Sequence, residues 1–235
     1  ALGTPGVPHE DDLHAAVTHG LRGAGEAVRE RMGLTGGLSW WRTLRPDPTL
    51  TALVLDLLFD ELSADDRHGA RELLRAALPT TQRPLALAQI AAALAHDEDV
   101  ATRALARSAL DRALSSDAGP DALAAYECAL AAAKTLGDAA RATSAATRLA
   151  AAVDRTLSND QAARCRGAAW FVCLRGDGDR ARMARAARAL ALHDAVQRPR
   201  AASALAWITR HPVRRDGPWW GQDEAAVVAL QAVFP

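Results

Sequence analysis

The strongest constraint on this chain is its rhythm of alanine- and leucine-rich segments, which alternate with short breaks that carry Pro, Gly, Asp or Ser. Alanine is the best helix former and a poor strand residue. Because only 4% of the residues are aromatic, the core has to be assembled from small side chains, and such a core favours closely packed helices. The rhythm therefore predicts an all-α fold.

The breaks divide the chain into segments of helical length. Acidic residues or prolines stand where helices would begin, and glycines or polar residues stand where they would end. On this basis we predict helices over 9–32, 49–62, 66–78, 84–95, 100–114, 121–136, 139–157, 161–174, 180–194, 199–210 and 223–234. The segment 49–62 is apolar around most of its circumference, which predicts burial by neighbours on two sides.

The spacing of the turns indicates repeated helix pairs. Turns at Asp65, Glu98, Asp138 and Asp179 are 33, 40 and 41 residues apart, within the window of two-helix repeats. Since the connections are short, neighbouring helices are expected to be antiparallel. The prediction is a short right-handed α-solenoid of stacked antiparallel hairpins. A flexible lead-in (1–8) precedes one all-helical domain (9–235). That domain consists of an N-terminal helix with a Trp loop (9–47), hairpin repeats (48–210) and a C-terminal loop with a capping helix (211–235).

The middle of the chain resembles tetratricopeptide-type repeats. The chain resembles the first helix of one unit at 125–130 (Ala-Tyr-Glu-Cys-Ala-Leu), its turn at 136–138 and its second helix at 142–149. The chain resembles another unit at Trp170, at the turn 174–179 and at the run 186–190. The resemblance covers about 121–194, but it lacks the usual closing proline and its spacing exceeds the 34 residues of that family. HEAT-like hairpins are equally compatible, and either resemblance implies a partner-binding scaffold with its ligand groove on the concave face.

Charge gives no global preference for a polyanion. The 28 basic residues balance the 28 acidic ones, and Lys134 is the only lysine. Arginines concentrate locally between 164 and 188, where they could contact phosphates. A nucleic-acid-binding helical array with this Arg-rich face is therefore the first alternative, although a solvated face paired with carboxylates is the commoner meaning of such a run.

A second alternative is a metal-dependent phosphohydrolase. His68 and the pair His96-Asp97, which follows an alanine-rich helix, resemble the metal-binding motif of the all-helical HD phosphohydrolases. Glu98 stands where that family tends to have glycine, and no particular later Asp stands out. A capped turn between two helices explains the same residues, so the sequence predicts no metal and no other cofactor.

Two tryptophan pairs lie in loops bordered by Gly or Pro: Trp40-Trp41 and Trp219-Trp220. Adjacent residues cannot both point into one core, so at least one member of each pair is expected over a helix end or in solvent. We interpret the pairs as plugs for the two ends of the array, with an aromatic binding site as the other interpretation.

Together these features predict a non-enzymatic helical-repeat scaffold that binds a protein or a peptide. In paired-helix solenoids the first helix of each unit lines the inner surface, and the predicted groove residues on those helices are Tyr126, Glu127, Arg164 and Arg166. The longest apolar stretch, 53–59, is interrupted by Asp56 and is far shorter than the ~20 residues of a membrane span. No membrane association and a cytoplasmic location are therefore predicted.

Overall fold

The computed structural model describes residues 46–158 and 170–210, together with 36–39 and the single positions 19, 23, 28 and 32. Within 170–210, side chains are described from 182 to 208. Eight α-helices have described bounds: α1 Pro48–Leu57, α2 Ala64–Ala77, α3 Pro84–Ala95, α4 Val100–Ser115, α5 Ala122–Thr135, α6 Ala139–Ser158, α7 Trp170–His193 and α8 Arg198–Arg210. The described part contains no strand. The predicted all-α class is confirmed.

Three of the described helices begin after residues whose side chains accept the first unpaired backbone N–H groups. Asp47 accepts from the amide of Thr49 (2.8 Å), Ser63 from that of Asp66 (3.1 Å), and Asp99 from that of Thr102 (2.8 Å). These caps account for the starts of α1, α2 and α4.

The end of α5 is set by Gly137, which has a φ of 68°. The amide of Gly137 donates to the Lys134 carbonyl (2.9 Å), and the amide of Asp138 donates to the Ala133 carbonyl (2.9 Å). This pair of bonds is the Schellman arrangement, in which the residue after the helix adopts a left-handed conformation that glycine takes without strain. The turn between α5 and α6 therefore has a local cause.

The chain divides into two compact units, 1–81 and 82–235. In the first unit, α1 packs on α2. Thr51 is buried and accepts a hydrogen bond from the amide of Leu38 (2.9 Å), which ties the preceding loop to α1. The prediction that 49–62 is covered on two sides is wrong: α1 ends at Leu57, and the side chains of Leu53 and Leu57 are 39% and 67% exposed. Only the face with Thr51, Ala52 and Leu55 is buried.

In the second unit, α3 is the most deeply buried helix described, since all of 86–95 except Gln89 is buried. It packs against α4 and α5, and α5 packs in turn against α6 and α7. The helix α8 packs on α7 and on α6. Alanines on the facing surfaces let these helices approach closely, which is how a chain so poor in aromatic residues buries a core.

The predicted turn at 175–179 is wrong, because the backbone is helical throughout Trp170–His193. Gly176 and Gly178 suggested a break, but a glycine inside a helix costs only about 1 kcal/mol relative to alanine. Residues 170–174 and 180–193, which were predicted to belong to separate helices, therefore lie in one helix. The part of the predicted helix 161–174 that precedes Trp170 lies outside the described residues. The helix that pairs with α7 is α8, and their connection runs through Asp194 and the 3₁₀ turn Ala195–Gln197.

None of the helices in the described ranges is both long enough and apolar enough to cross a bilayer.

Candidate functional site

Tyr126, one of the predicted groove residues, lies in the core of the second unit. Its side chain is only 3% exposed, and its hydroxyl donates to the Ser116 carbonyl (3.3 Å). The guanidinium of Arg148 from α6 lies over the ring, 5.9 Å from the centroid. The ring therefore packs between helices and is not a groove-facing side chain, which corrects that part of the prediction.

Glu127, the next residue along α5, is partly exposed. Its side chain is 26% exposed, and its Oε2 atom lies 3.9 Å from Nε of Arg185 on α7, whose side chain is 39% exposed. This distance exceeds that of a hydrogen bond. The contact places the exposed edge of α5 beside the exposed edge of α7.

The remaining predicted site residues lie outside the described residues: Arg164, Arg166, Trp40, Trp41, Trp219 and Trp220. Their roles stay predictions.

Three small residues of α5 form a stripe around Glu127. At 100° per residue, Ala124, Glu127, Cys128 and Ala131 fall on one face of the helix. All four are exposed or half-buried, whereas the opposite face is buried. The residues of that buried face are Ala122, Leu123, Ala125, Tyr126, Ala129, Leu130, Ala132 and Ala133.

Three arginines form the corresponding stripe of α7. Arg182 and Arg185 are half-buried and Arg188 is exposed, all within about 120° of the helix circumference. Residues 182–193 contain no Asp or Glu. Met183, Ala184, Ala186, Ala187 and Leu190 occupy the buried face of the same helix. We call the two stripes together the α5–α7 strip, defined by Ala124, Glu127, Cys128, Ala131, Arg182, Arg185 and Arg188.

The strip carries more positive than negative charge. It contains three arginines against Glu127, and Lys134 follows one turn beyond Ala131 on α5. Partial burial disfavours the charged form of the Lys134 amine and so lowers the pKa of Lys134 from its usual value.

Other arginines of the second unit make tighter contacts that hold helices together. Arg141 of α6 donates from Nε and Nη2 to both carboxylate oxygens of Asp111 on α4, each at 2.8 Å. Arg141 also bonds Asp138 at the start of its own helix. The backbone and side-chain hydrogen bonds from Arg141 hold the pKa of Asp138 below its usual value, and the bonds to Asp111 and Asp138 raise the pKa of Arg141.

A second contact of this type joins α8 to α6, where Nε and Nη2 of Arg200 bond the two oxygens of Asp154 at 2.8 and 2.9 Å. In addition, Nη2 of Arg103 donates to the carbonyl of Leu136 at the end of α5 (2.9 Å). Planar two-point pairing is the strong form of an arginine–carboxylate contact. Each of these bonds is shorter by about an ångström than the 3.9 Å between Arg185 and Glu127.

The residues of the predicted phosphohydrolase motif lie at helix ends and on a helix surface. His96 follows the last residue of α3, and Asp97 accepts from the amide of Asp99 (3.0 Å) in the turn to α4. His68 is exposed on α2 of the first unit. Among the described residues, no group of three or more His, Cys, Asp or Glu side chains is close enough to hold a metal ion.

The fold and the strip define an all-helical protein with a partly basic, small-residue surface on two neighbouring helices. Comparison with protein families, with curated proteins and with solved structures found no match to this chain.

Of the residues in the α5–α7 strip, the sequence analysis named Glu127 and the arginine concentration, and it did not single out Ala124, Cys128 or Ala131. The signal that could have found them is the 100° periodicity of α5, because the positions 124, 127, 128 and 131 recur at the spacing of one helix face. The same periodicity puts Tyr126 about 100° away from Glu127, towards α6.

Proposed function

We propose that this chain is a non-enzymatic helical-repeat scaffold that binds a protein or peptide partner, and that the α5–α7 strip is its binding surface. The observation that carries the proposal is the contact between Glu127 and Arg185, since it joins two exposed helix stripes into one continuous surface. Side chains of alanine size on α5 leave room for a partner to approach the backbone.

The order of helix contacts supports a stacked-hairpin architecture. The pairs α3–α4, α5–α6 and α7–α8 are each in contact, and α3, α5 and α7 follow one another as neighbours. We propose that these three are the first helices of successive units in a short right-handed solenoid, of tetratricopeptide-like or HEAT-like type. In such arrays the first helices line the inner surface, which is where partners bind.

A site-specific photo-crosslinker tests the proposed surface. Ala131 on the strip and Ala151 on α6 are both exposed alanines, so each accepts p-benzoylphenylalanine with little effect on folding. After irradiation in extract of the source cells, we expect discrete protein adducts from the Ala131 variant and few from the Ala151 variant.

Two outcomes would contradict the proposal. Equal capture at both positions would mean that the strip is not a preferred surface. Adducts removed by nuclease rather than by protease would favour the nucleic-acid-binding array, for which the arginines of α7 are the motivating feature.

A further inference from the structure

We infer that the exposed apolar face of α1 binds a basic amphipathic helix of a partner protein. The face consists of Leu50, Leu53, Val54 and Leu57, which we call the α1 stripe. It belongs to the first unit, whereas the residues of the α5–α7 strip belong to the second. The α1 stripe is thus an additional interaction surface, and its existence does not depend on the proposed function.

The α1 stripe has the spacing of one helix face. Its positions i, i+3, i+4 and i+7 fall within about 100° of the circumference and about 11 Å along the axis. Leu50 and Val54 are half-buried, and Leu53 and Leu57 are 39% and 67% exposed. Two large apolar side chains on this face therefore reach solvent, although another face of α1 is buried within the unit.

The residues of α1 are those of a helix with two covered faces. The helix Pro48–Leu57 includes a single charged side chain, that of Asp56. Helices that are apolar around most of their circumference are normally buried. In the described structure, burial is confined to the face with Thr51, Ala52 and Leu55. A partner helix on the α1 stripe would supply the second cover, and exposed apolar clusters commonly mark such interaction sites.

The charge of the first unit selects a basic partner. Residues 46–81 carry seven acidic side chains against three arginines, and the whole unit 1–81 carries twelve acidic side chains against eight arginines. Ion pairs within the unit cannot cancel this excess, because each pair removes one charge of either sign. The stretch 48–62 contains three acidic residues and no Lys, Arg or His. A helix that carries Lys or Arg beside its apolar face is therefore complementary in charge, which favours the encounter.

The two arginines of α2 that lie near the end of α1 pack against Phe59. Nη1 of Arg67 donates to the Phe59 carbonyl (3.0 Å). The guanidinium groups of Arg67 and Arg71 lie 4.9 and 5.6 Å from the centre of the Phe59 ring. Both charges are included in the count of three arginines, so the unit stays negative after these contacts are made. Asp60, three residues after Leu57, is exposed.

A helix is the occupant that fits this surface best. Side chains spaced three and four residues apart on one helix pack against the same spacing on a second helix. An extended peptide would need the free edge of a sheet, which α1 does not offer. A second copy that presents the same stripe would bring two negative surfaces together, and a nucleic acid would meet the same repulsion.

Fluorescence anisotropy with a defined probe tests the inference on the full chain. The probe is a fluorescein-labelled peptide of four Leu-Lys-Lys-Leu repeats, whose leucines recur at the spacing of one helix face. One control peptide has Glu in place of every Lys, and a second has Ser in place of every Leu. We expect the probe to bind about tenfold more tightly than either control, because the first control reverses the charge and the second removes the apolar face.

Two pairs of variants locate the site. Leu57→Gln should weaken binding of the probe about tenfold, because it removes an apolar contact. Leu192→Gln makes the same change at a leucine of α7 that is 56% exposed, and should change the affinity less than about twofold. Asp60→Lys should weaken binding about fivefold. Glu98→Lys reverses a charge at an exposed position of the second unit and should have less than about a twofold effect at physiological salt.

Three binding results would overturn the inference. Equal weakening by Leu57→Gln and Leu192→Gln would mean that the α1 stripe is not the site. Binding of the Glu control as tight as that of the probe would remove the basic partner. A dimer of the unlabelled chain that Leu57→Gln dissociates, measured by sedimentation equilibrium, would make a second copy the occupant.

Circular dichroism melting of the variants tests whether the chain itself covers the stripe. Leu57→Gln should shift the melting temperature by less than about 2 °C, because the side chain is largely exposed. A loss of more than about 5 °C would show that Leu57 is packed within the chain and would overturn the inference. The adducts expected at Ala131 test the α5–α7 strip alone, so the two proposals fail separately.

Discussion

At the scale of single residues, the first unit depends on two glycines whose backbones touch. A Cβ placed on Gly69 of α2 would lie 2.8 Å from the Cα of Gly36. Gly36 itself has a φ of 66°, a conformation that residues with side chains seldom adopt. The loop before α1 therefore packs directly against the backbone of α2. A side chain at Gly36 or Gly69 would force the loop or the helix to move.

We expect Gly69→Ala to lower the free energy of unfolding by about 1–3 kcal/mol, because the contact is with backbone atoms that cannot rotate away. Urea denaturation followed by circular dichroism measures the change. Gly23→Ala is the matched control in the same unit: Gly23 is helical, and nothing lies within 4 Å of a Cβ placed on it. That control should be neutral or stabilising by about 0.5–1 kcal/mol. Equal losses in both variants would contradict the proposed close approach.

At the scale of elements, the helices of the second unit are joined by arginines that link one helix to the end of another. Arg141 connects α6 both to α4 and to the turn that begins α6, because it bonds Asp111 and Asp138. Asp138 in turn accepts from the amide of Arg141 (3.0 Å). The contact between α4 and α6 thus includes the ion pair of Arg141 with Asp111.

The contact of Arg141 with Asp138 makes the free energy of unfolding depend on pH in the acidic range. Hydrogen bonds from Arg141 lower the folded-state pKa of Asp138 below the ordinary value of about 3.9. A depressed carboxyl pKa contributes stability that is fully present above the unfolded-state pKa and is lost as the pH falls through the folded-state pKa. Stability should therefore decline as the pH drops below about 4.

Arg141→Ala should lower the free energy of unfolding at pH 7 by about 1–2 kcal/mol, and should also flatten the decline below pH 4. Urea denaturation at pH 7, 5, 4 and 3 measures both effects. Arg155→Ala, an exposed residue of the same helix, is the control and should stay within about 0.5 kcal/mol of the parent protein at each pH. An unchanged acid profile in the Arg141 variant would show that Asp138 does not owe its pKa to this contact.

At the scale of the whole molecule, the second unit has a core of its own. The helix α3 is buried by α4 and α5, and α5 carries a further buried face towards α6. Leucines and alanines from several helices meet there, including the fully buried Leu87, Leu94, Leu110, Leu130 and Leu149. A core assembled within 82–235 is the condition for independent folding.

We expect the fragment 82–235 to give a helical circular dichroism spectrum and one cooperative thermal transition. A shorter fragment, 82–158, lacks α7 and α8 and so exposes the faces of α5 and α6 that they cover. It should melt at a lower temperature than 82–235 or show no cooperative transition. A non-cooperative melt of the longer fragment would mean that its helices do not form a core by themselves.

Among the described helices, the sequence by itself determined α1 to α6 and α8 and most of their ends. Helix formation depends on hydrogen bonds between residues four apart and on caps within the same few residues, so Asp47, Ser63 and Gly137 could be interpreted locally. The arginine concentration and Glu127 were likewise evident in the chain. These features need no knowledge of distant neighbours.

Only the tertiary structure decided which faces are covered and which breaks are real. Tyr126 looked like a groove residue, but α6 and the Ser116 carbonyl bury it, while the plain Ala131 is exposed. Gly176 and Gly178 are helical within α7 although their local preference favours a turn. Burial arises from contacts between segments far apart in the chain, and the free energy of that packing exceeds the ~1 kcal/mol preferences of single residues, which is why local patterns could not settle either point.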